Sequence, residues 1–192
     1  MILNFFKFIL YIWVWLLFPT IFKGKRNIPK GKVIFVCNHT SNIDPILLCM
    51  STWRKQYFLA KKELFSNSFK RGIMKIAHAI PVERGKIDIK AIKMSMKVLS
   101  KNKILTIFPE GTRNRTNEDL SEIKAGAGML AIKTKTPIVP VWIKKKPRLF
   151  RINSVKFGKP FTLEEFYDEK LTSEVLSKAG DKIAKNLLEN SK

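Results

Sequence analysis

From residue 28 onward, short β-branched runs alternate with longer stretches in which apolar residues recur at helical spacing. Runs of the first kind suit buried strands and stretches of the second kind suit amphipathic helices. Their alternation predicts an α/β fold: a single domain with a mostly parallel central sheet flanked by helices. Strands are expected near residues 32–37 (KVIFVC), 57–60, 79–82, 103–108 (KILTIF), 137–142 (PIVPVW) and 154–157. Helices are expected over 45–53, 62–76, 87–101, 121–134 and 172–190. No internal repeat, Gly/Ser linker or low-complexity tract divides the chain.

The pattern differs at the N-terminus. Residues 1–22, MILNFFKFILYIWVWLLFPTIF, are apolar apart from Asn4, Lys7 and Thr20. As one helix they would extend roughly 33 Å, only just the thickness of a bilayer's hydrocarbon core. Lys7 interrupts the apolar face and Pro19 disfavours helix at Phe18, which leaves a clean stretch of interfacial or re-entrant length. Tyr11, Trp13 and Trp15 suit the headgroup boundary. Residues 1–26 are therefore expected to form an apolar, membrane-associated helical segment ahead of a catalytic domain at 27–192; a buried core helix is the alternative. A cleaved signal peptide fits poorly, because no positive charge leads the segment and no small-residue cleavage site follows it. Lys23, Lys25 and Arg26 instead place the remainder on the cytoplasmic side.

Composition adds one strong constraint. The 192 residues carry 37 Lys plus Arg against 15 Asp plus Glu, a formal charge of +22 that attracts any polyanion, nucleic acid and anionic lipid alike. A hydrophobic share of 45% excludes a disordered chain, and a single long apolar run excludes a polytopic membrane protein. Cys37 and Cys49 have neither the pairing pattern of a disulfide scaffold nor the spacing of a zinc site, which points to a reducing, cytosolic setting.

His39, one of two histidines, follows the apolar strand VIFVC in the string NHTSNID. A buried strand delivers such residues to the open end of a sheet, where α/β proteins place ligands. His39 and Asp44 would not align on one helix, but a strand, a turn and a helix start can fold Asp44 back onto the imidazole. The carboxylate would then fix the tautomer of a histidine acting as general base. Asp44 ahead of Pro45 equally suits a helix cap, as does Ser41, and this segment alone leaves both readings open. In FPEGTRNR, residues 108–115, Gly111 allows close backbone approach to a ligand, and Arg113 and Arg115 offer planar forks for phosphate oxygens. A surface turn with solvated arginines fits the same string. Arg84 ends the strand in AIPVER, Lys61 and Lys62 open KKELF, and Lys124 precedes the run AGAG at a helix start that attracts anions. Ordinary solvated charges would also explain each of these.

Taken in order, these blocks resemble those of the glycerolipid acyltransferase family, from about residue 32 to residue 142. The Asn-His string with aspartate at the fifth residue after the histidine implies a catalytic role for His39 with Asp44 as its partner. KKELF and Arg84 match the second block in part, and FPEGTR matches the third in full. Together these imply that Arg84, Glu110, Gly111 and Arg113, with Thr112 in the same string, bind the acceptor's glycerol phosphate, and Lys124 is counted with them. PIVPV at 137–141 resembles the family's fourth block, a short apolar strand with proline, while Asn114 stands where many members have serine. The resemblance implies transfer of an acyl chain from acyl-coenzyme A or acyl carrier protein to the free hydroxyl of lysophosphatidate, giving phosphatidate. It also implies no cofactor or metal, and a place at the cytoplasmic face of the inner membrane. Glycerol 3-phosphate or another lysolipid is the alternative acceptor.

The chemistry of the residues agrees. A thioester attacked by an alcohol needs a base, a polar site for the oxyanion and tight positioning of both partners. His39 is expected to deprotonate the acceptor directly, without an acyl-enzyme on Ser41 or Cys37, and backbone amides after His39 are expected to stabilise the oxyanion. KKKPRLFR at 144–151 interleaves five cations with Leu149 and Phe150, which suits anionic headgroups. A thioester hydrolase would share the His-Asp pair but has no use for two arginine-bearing strand ends. A nucleic-acid-binding protein would explain the charge, yet no binding motif appears and the apolar N-terminus is unexplained.

Overall fold

The computed structural model describes residues 11–83, 85, 87–113 and 123–192. Seven strands form one sheet: β1 (Thr20–Lys23), β2 (Val33–Cys37), β3 (Gln56–Lys61), β4 (Ala79–Val82), β5 (Ile104–Ile107), β6 (Ile138–Ile143) and β7 (Asn153–Phe157). Their spatial order is β1-β7-β6-β2-β5-β3-β4, parallel throughout except for the antiparallel β6/β7 pair. Among the described residues, helices α1 (Asp44–Met50), α2 (Ser68–Ile76), α3 (Ile89–Ser100), α4 (Gly126–Thr134) and α5 (Ser173–Glu189) accompany them, besides a helical stretch at 11–17. This is the α/β layer architecture expected from the alternation of runs.

The central strand β2 is buried at all its positions, as a parallel strand covered on both faces must be. Its pleat splits the core in two. Ile34 and Val36 join Leu105, Leu130, Ala179 and Ile183 under α3, α4 and α5, whereas Val33, Phe35 and Cys37 pack with Leu48 of α1 and with Phe157 on the other face. At the end of β2, Asn38 donates from Nδ2 to the Ile143 carbonyl (3.0 Å) and accepts from the Ile143 amide (2.8 Å). Its side chain thus replaces a backbone neighbour and continues the ladder for one residue beyond the strand.

Three expectations change. The helix expected over 62–76 is two elements, a 3-10 turn at Lys62–Phe65 and α2, because Asn67 is extended and its side chain caps α2 by accepting from the Lys70 amide at 2.8 Å. The helix expected from 121 starts at Gly126, with residues 123–125 non-helical and 121–122 outside the described residues. Edge strand β1 was not expected. It is the tail of the apolar N-terminal run, and it pairs with β7 in the register Thr20 to Asn153. The Asn153 amide donates to the Pro19 carbonyl at 2.7 Å and the Phe150 amide to the Leu17 carbonyl at 2.7 Å, which stitches this segment to the sheet. Residues 11–17 are helical, with Tyr11 stacked on Trp53. Among the described residues, no helix is long and apolar enough to cross a membrane.

Candidate active site

Strands β2 and β5 lie side by side and parallel, so the loops after them emerge together at their carboxyl ends. The first carries His39 and the second carries Phe108, Pro109, Glu110 and Gly111. Asp44 is the first residue of α1 and is fully buried. Its Oδ2 accepts from the backbone amides of Thr40 (2.6 Å) and Ser41 (2.7 Å) and lies 2.9 Å from His39 Nδ1. The Thr40 hydroxyl donates to Oδ1 at 3.2 Å. Burial of a carboxylate is costly without such donors, and here they close the loop 39–44 around it.

Because two amides already donate to this oxygen, it acts as an acceptor and Nδ1 supplies the hydrogen of the third contact, an arrangement that in the neutral ring leaves the lone pair on Nε2. The capping reading of Asp44 does not hold. The residue at the cap position is Ile43, with no side-chain cap bond, and the carboxylate reaches back to the loop and the imidazole. Ser41 acts locally, accepting from the Ile43 amide at 3.3 Å. The backbone amides after His39, expected to face an oxyanion, are occupied as well, since those of Thr40 and Ser41 point at Asp44.

Two further contacts hold the histidine. Its ring stacks on Phe108, with centroids 4.1 Å apart and planes at 23°, and its backbone amide donates to Glu110 Oε1 at 3.1 Å. Glu110 is only 3% exposed and so belongs to the wall that positions His39. Phe108 was not singled out by sequence, although its place directly before Pro-Glu-Gly at a strand end was the available signal. Cys37 is fully buried. Burial, then the nearby Asp44 and Glu110 carboxyls, push its thiol well above the usual range, so it stays protonated and unreactive.

His39 opens onto a cavity of about 800 Å³ walled by β3, β4, β5 and α1–α4. The walls are mainly apolar, including Phe58, Ile73, Met74, Ile92, Met129 and Leu130. Lys61 and Lys124 bring positive charge to its lining, with Glu83 and Asp88 opposite in sign. Gly111 has φ of +69°, and a Cβ there would meet the Lys124 side chain at 2.8–3.0 Å, so a bare backbone lets the lysine lie across this turn. The Lys124 amide donates to the Pro109 carbonyl at 3.0 Å, closing the same corner. The structure thus gathers His39, Asp44, Glu110, Gly111 and Lys124. Thr112 and Arg113 are exposed and do not line the cavity. Arg84 and Arg115 lie outside the described residues.

Comparison with known proteins agrees with this geometry. The chain is 37% identical over 119 residues to a 1-acyl-sn-glycerol-3-phosphate acyltransferase of Bacillus subtilis, covering 61% of this chain and 58% of that protein. It is 29% identical over 157 residues to the Streptococcus pneumoniae protein of the same name, covering 78% and 57%. A Borreliella burgdorferi protein of that name is 33% identical over 139 residues, covering 69% and 54%. The chain therefore spans a little over half the length of these relatives. The crystal structure of the 1-acyl-sn-glycerophosphate (LPA) acyltransferase PlsC from Thermotoga maritima superimposes with a TM-score of 0.65 at 21% identity, over 93% of this chain and 74% of that one, and so shares the fold. The Acyltransferase family model matches residues 20–144, which hold the His39 loop, the Glu110 turn and the strands that carry them, and the chain belongs to that family.

Proposed function

We propose that the chain transfers an acyl group from a thioester donor, acyl-coenzyme A or acyl carrier protein, to the free hydroxyl of lysophosphatidate, giving phosphatidate. The observation that carries this reading is His39, held by Asp44 at 2.9 Å with Nε2 left to accept a proton, at an apolar cavity large enough for acyl chains. The names of the relatives support the acceptor, and the cavity's lysines suit its phosphate.

In the proposed step, Nε2 takes the hydroxyl proton while the alcohol oxygen attacks the thioester carbonyl carbon. The tetrahedral intermediate collapses, the carbon–sulfur bond breaks, and the imidazolium returns its proton to the departing thiolate. Asp44 keeps the tautomer and stabilises the imidazolium. Atoms and charge balance without a cofactor. Lys124, Lys61 and Gly111 at the cavity form the proposed acceptor-binding set, to which the family resemblance adds Arg84 and Arg113. The proposed membrane-associated segment is the apolar run ahead of β1; the expected boundary at 26/27 moves back to about residue 20, because Thr20–Lys23 pairs with β7 in the domain's sheet. The exposed Ile12, Trp13, Trp15 and Leu16 support membrane contact, which the proposal places at the cytoplasmic face of the inner membrane.

The test is phosphatidate formation by the detergent-purified chain given lysophosphatidate and either donor, comparing wild type with His39→Ala. Loss of about 100-fold or more with circular dichroism unchanged is expected for removal of a general base. Normal transfer by the variant would rule out this base, and release of free fatty acid without an acceptor would identify a hydrolase.

A further inference from the structure

Unlike α1, α3, α4 and α5, helix α2 contributes no buried residue. A helix this short is marginal in water by itself, so an uncovered one gains its stability from whatever meets its apolar stripe. The stripe is plain: Phe69, Ile73 and Ile76 share one face by their spacing, and Phe69 and Ile76 are 79% and 77% exposed. Among the described residues, helix α2 packs chiefly on the 3-10 turn before it and on strand β4, which leaves that face open.

Two observations say what covers it. The helix carries Lys70, Arg71 and Lys75 and no acidic residue, within a chain of net charge +22. A second copy would bring like charge to this face, whereas an anionic surface would neutralise it. The stripe also runs into the cavity's rim. Ile73 lines the cavity while being exposed, as do Leu64 on the preceding turn and Ile87, which is 82% exposed, at the approach to α3. A folded partner protein would cap such a rim, but the acyl chains of a bilayer extend it. Large apolar side chains flanked by lysine and arginine on one short helix are the pattern of an element lying in the headgroup boundary.

We propose that α2, with Leu64 and Ile87, is a second membrane-docking surface, separate from the N-terminal segment. It seats the cavity's mouth on an anionic phospholipid bilayer so that lipid enters from the membrane plane. This rests on the acyl-transfer reading for what enters the cavity, but the docking itself is tested without catalysis.

The experiment measures sedimentation of the full chain with vesicles of equal phosphatidylglycerol and phosphatidylcholine, and with phosphatidylcholine alone, for wild type and the double variant Phe69→Ser/Ile76→Ser. Neither side chain is buried or lines the cavity, so the fold is expected to survive, as circular dichroism will register. Partition onto the anionic vesicles should fall about 10-fold or more, with transfer between short-chain, water-soluble substrates unchanged. In a second measurement, a spin label on Ile76→Cys in a Cys49→Ser background should gain collisions with oxygen and lose them with an aqueous nickel chelate when the anionic vesicles are added. Wild-type partition by the double variant, or a label that stays aqueous, overturns the proposal. So does unchanged vesicle partition accompanied by loss of self-association or of acyl carrier protein binding, which would identify a protein partner instead. Absence of acyl transfer in wild type would sink the catalytic reading and leave the docking result standing.

Discussion

His39 is constrained from three directions, by Asp44 at Nδ1, by Glu110 at its backbone amide and by the Phe108 ring against its face. The aromatic contact sets the tilt of the imidazole, and so where Nε2 points in the cavity. Phe108→Leu keeps the apolar volume but removes the flat surface. It is expected to lower kcat about 10-fold with KM nearly unchanged, since small misplacement of a reacting group is enough for such a loss. The pH-rate profile should keep its shape, because the partner at Nδ1 is untouched. A rise in KM alone would instead assign Phe108 to substrate binding. At this scale the sequence was half legible. It placed His39 and Asp44 at one strand end, but a carboxylate five residues on serves a cap or a histidine equally well, and only the backbone course, with Ile43 at the cap position, decides between them. Glu110 was read as a ligand-binding group, and its place beside β2 emerges only when β5 is known to be the neighbouring strand.

Among the elements, α3 forms one wall of the cavity and is capped by Asp88, whose Oδ1 accepts from the Ala91 amide at 2.9 Å and whose Oδ2 accepts from the Glu83 amide at 3.0 Å. These bonds, the Ala91 amide first, hold the Asp88 carboxyl below its ordinary value, and the charge of Lys62 adds to them. A carboxyl with a depressed folded value stabilises the fold above its unfolded pKa, and that contribution is lost as pH falls through the folded value. Replacing Asp88 by alanine should therefore lower Tm at neutral pH, with the gap to wild type narrowing as the pH drops below the carboxylate range. Thermal melts along a pH series check this, and a constant gap would show that the charge plays no part. Periodicity foresaw α3, α5 and the hydrophobic strands well, because β2 and β6 are continuous apolar runs and β5 departs from one only at Thr106, all buried on both faces. It failed where one pattern served two structures: the 62–76 stretch hid a break at Asn67, and TIFK, at the end of an apolar run, gave no sign of pairing with a strand some 130 residues away.

For the whole molecule, the charge of +22 is too large to be explained by the few lysines and arginines near the cavity. It is spread over the surface, on α2 (Lys70, Arg71, Lys75) and on the exposed turn with Lys144, Lys145 and Lys146. Basic residues near an anionic membrane each contribute on the order of 1 kcal/mol, and this attraction decays over a screening length of about 10 Å at 0.1 M salt and about 3 Å at 1 M. Contacts through the exposed apolar side chains of the N-terminal segment and α2 do not decay in this way. Partition onto anionic vesicles should thus fall steeply as salt rises and then level off at a residue of apolar binding. That plateau should be lower for Phe69→Ser/Ile76→Ser than for wild type, while the initial slope, set by the cations, stays the same. Cosedimentation across a salt series reads both quantities. A partition that ignores salt would mean that the charge serves something other than a membrane, and a partition that falls to nothing would mean that the apolar faces do not enter the bilayer.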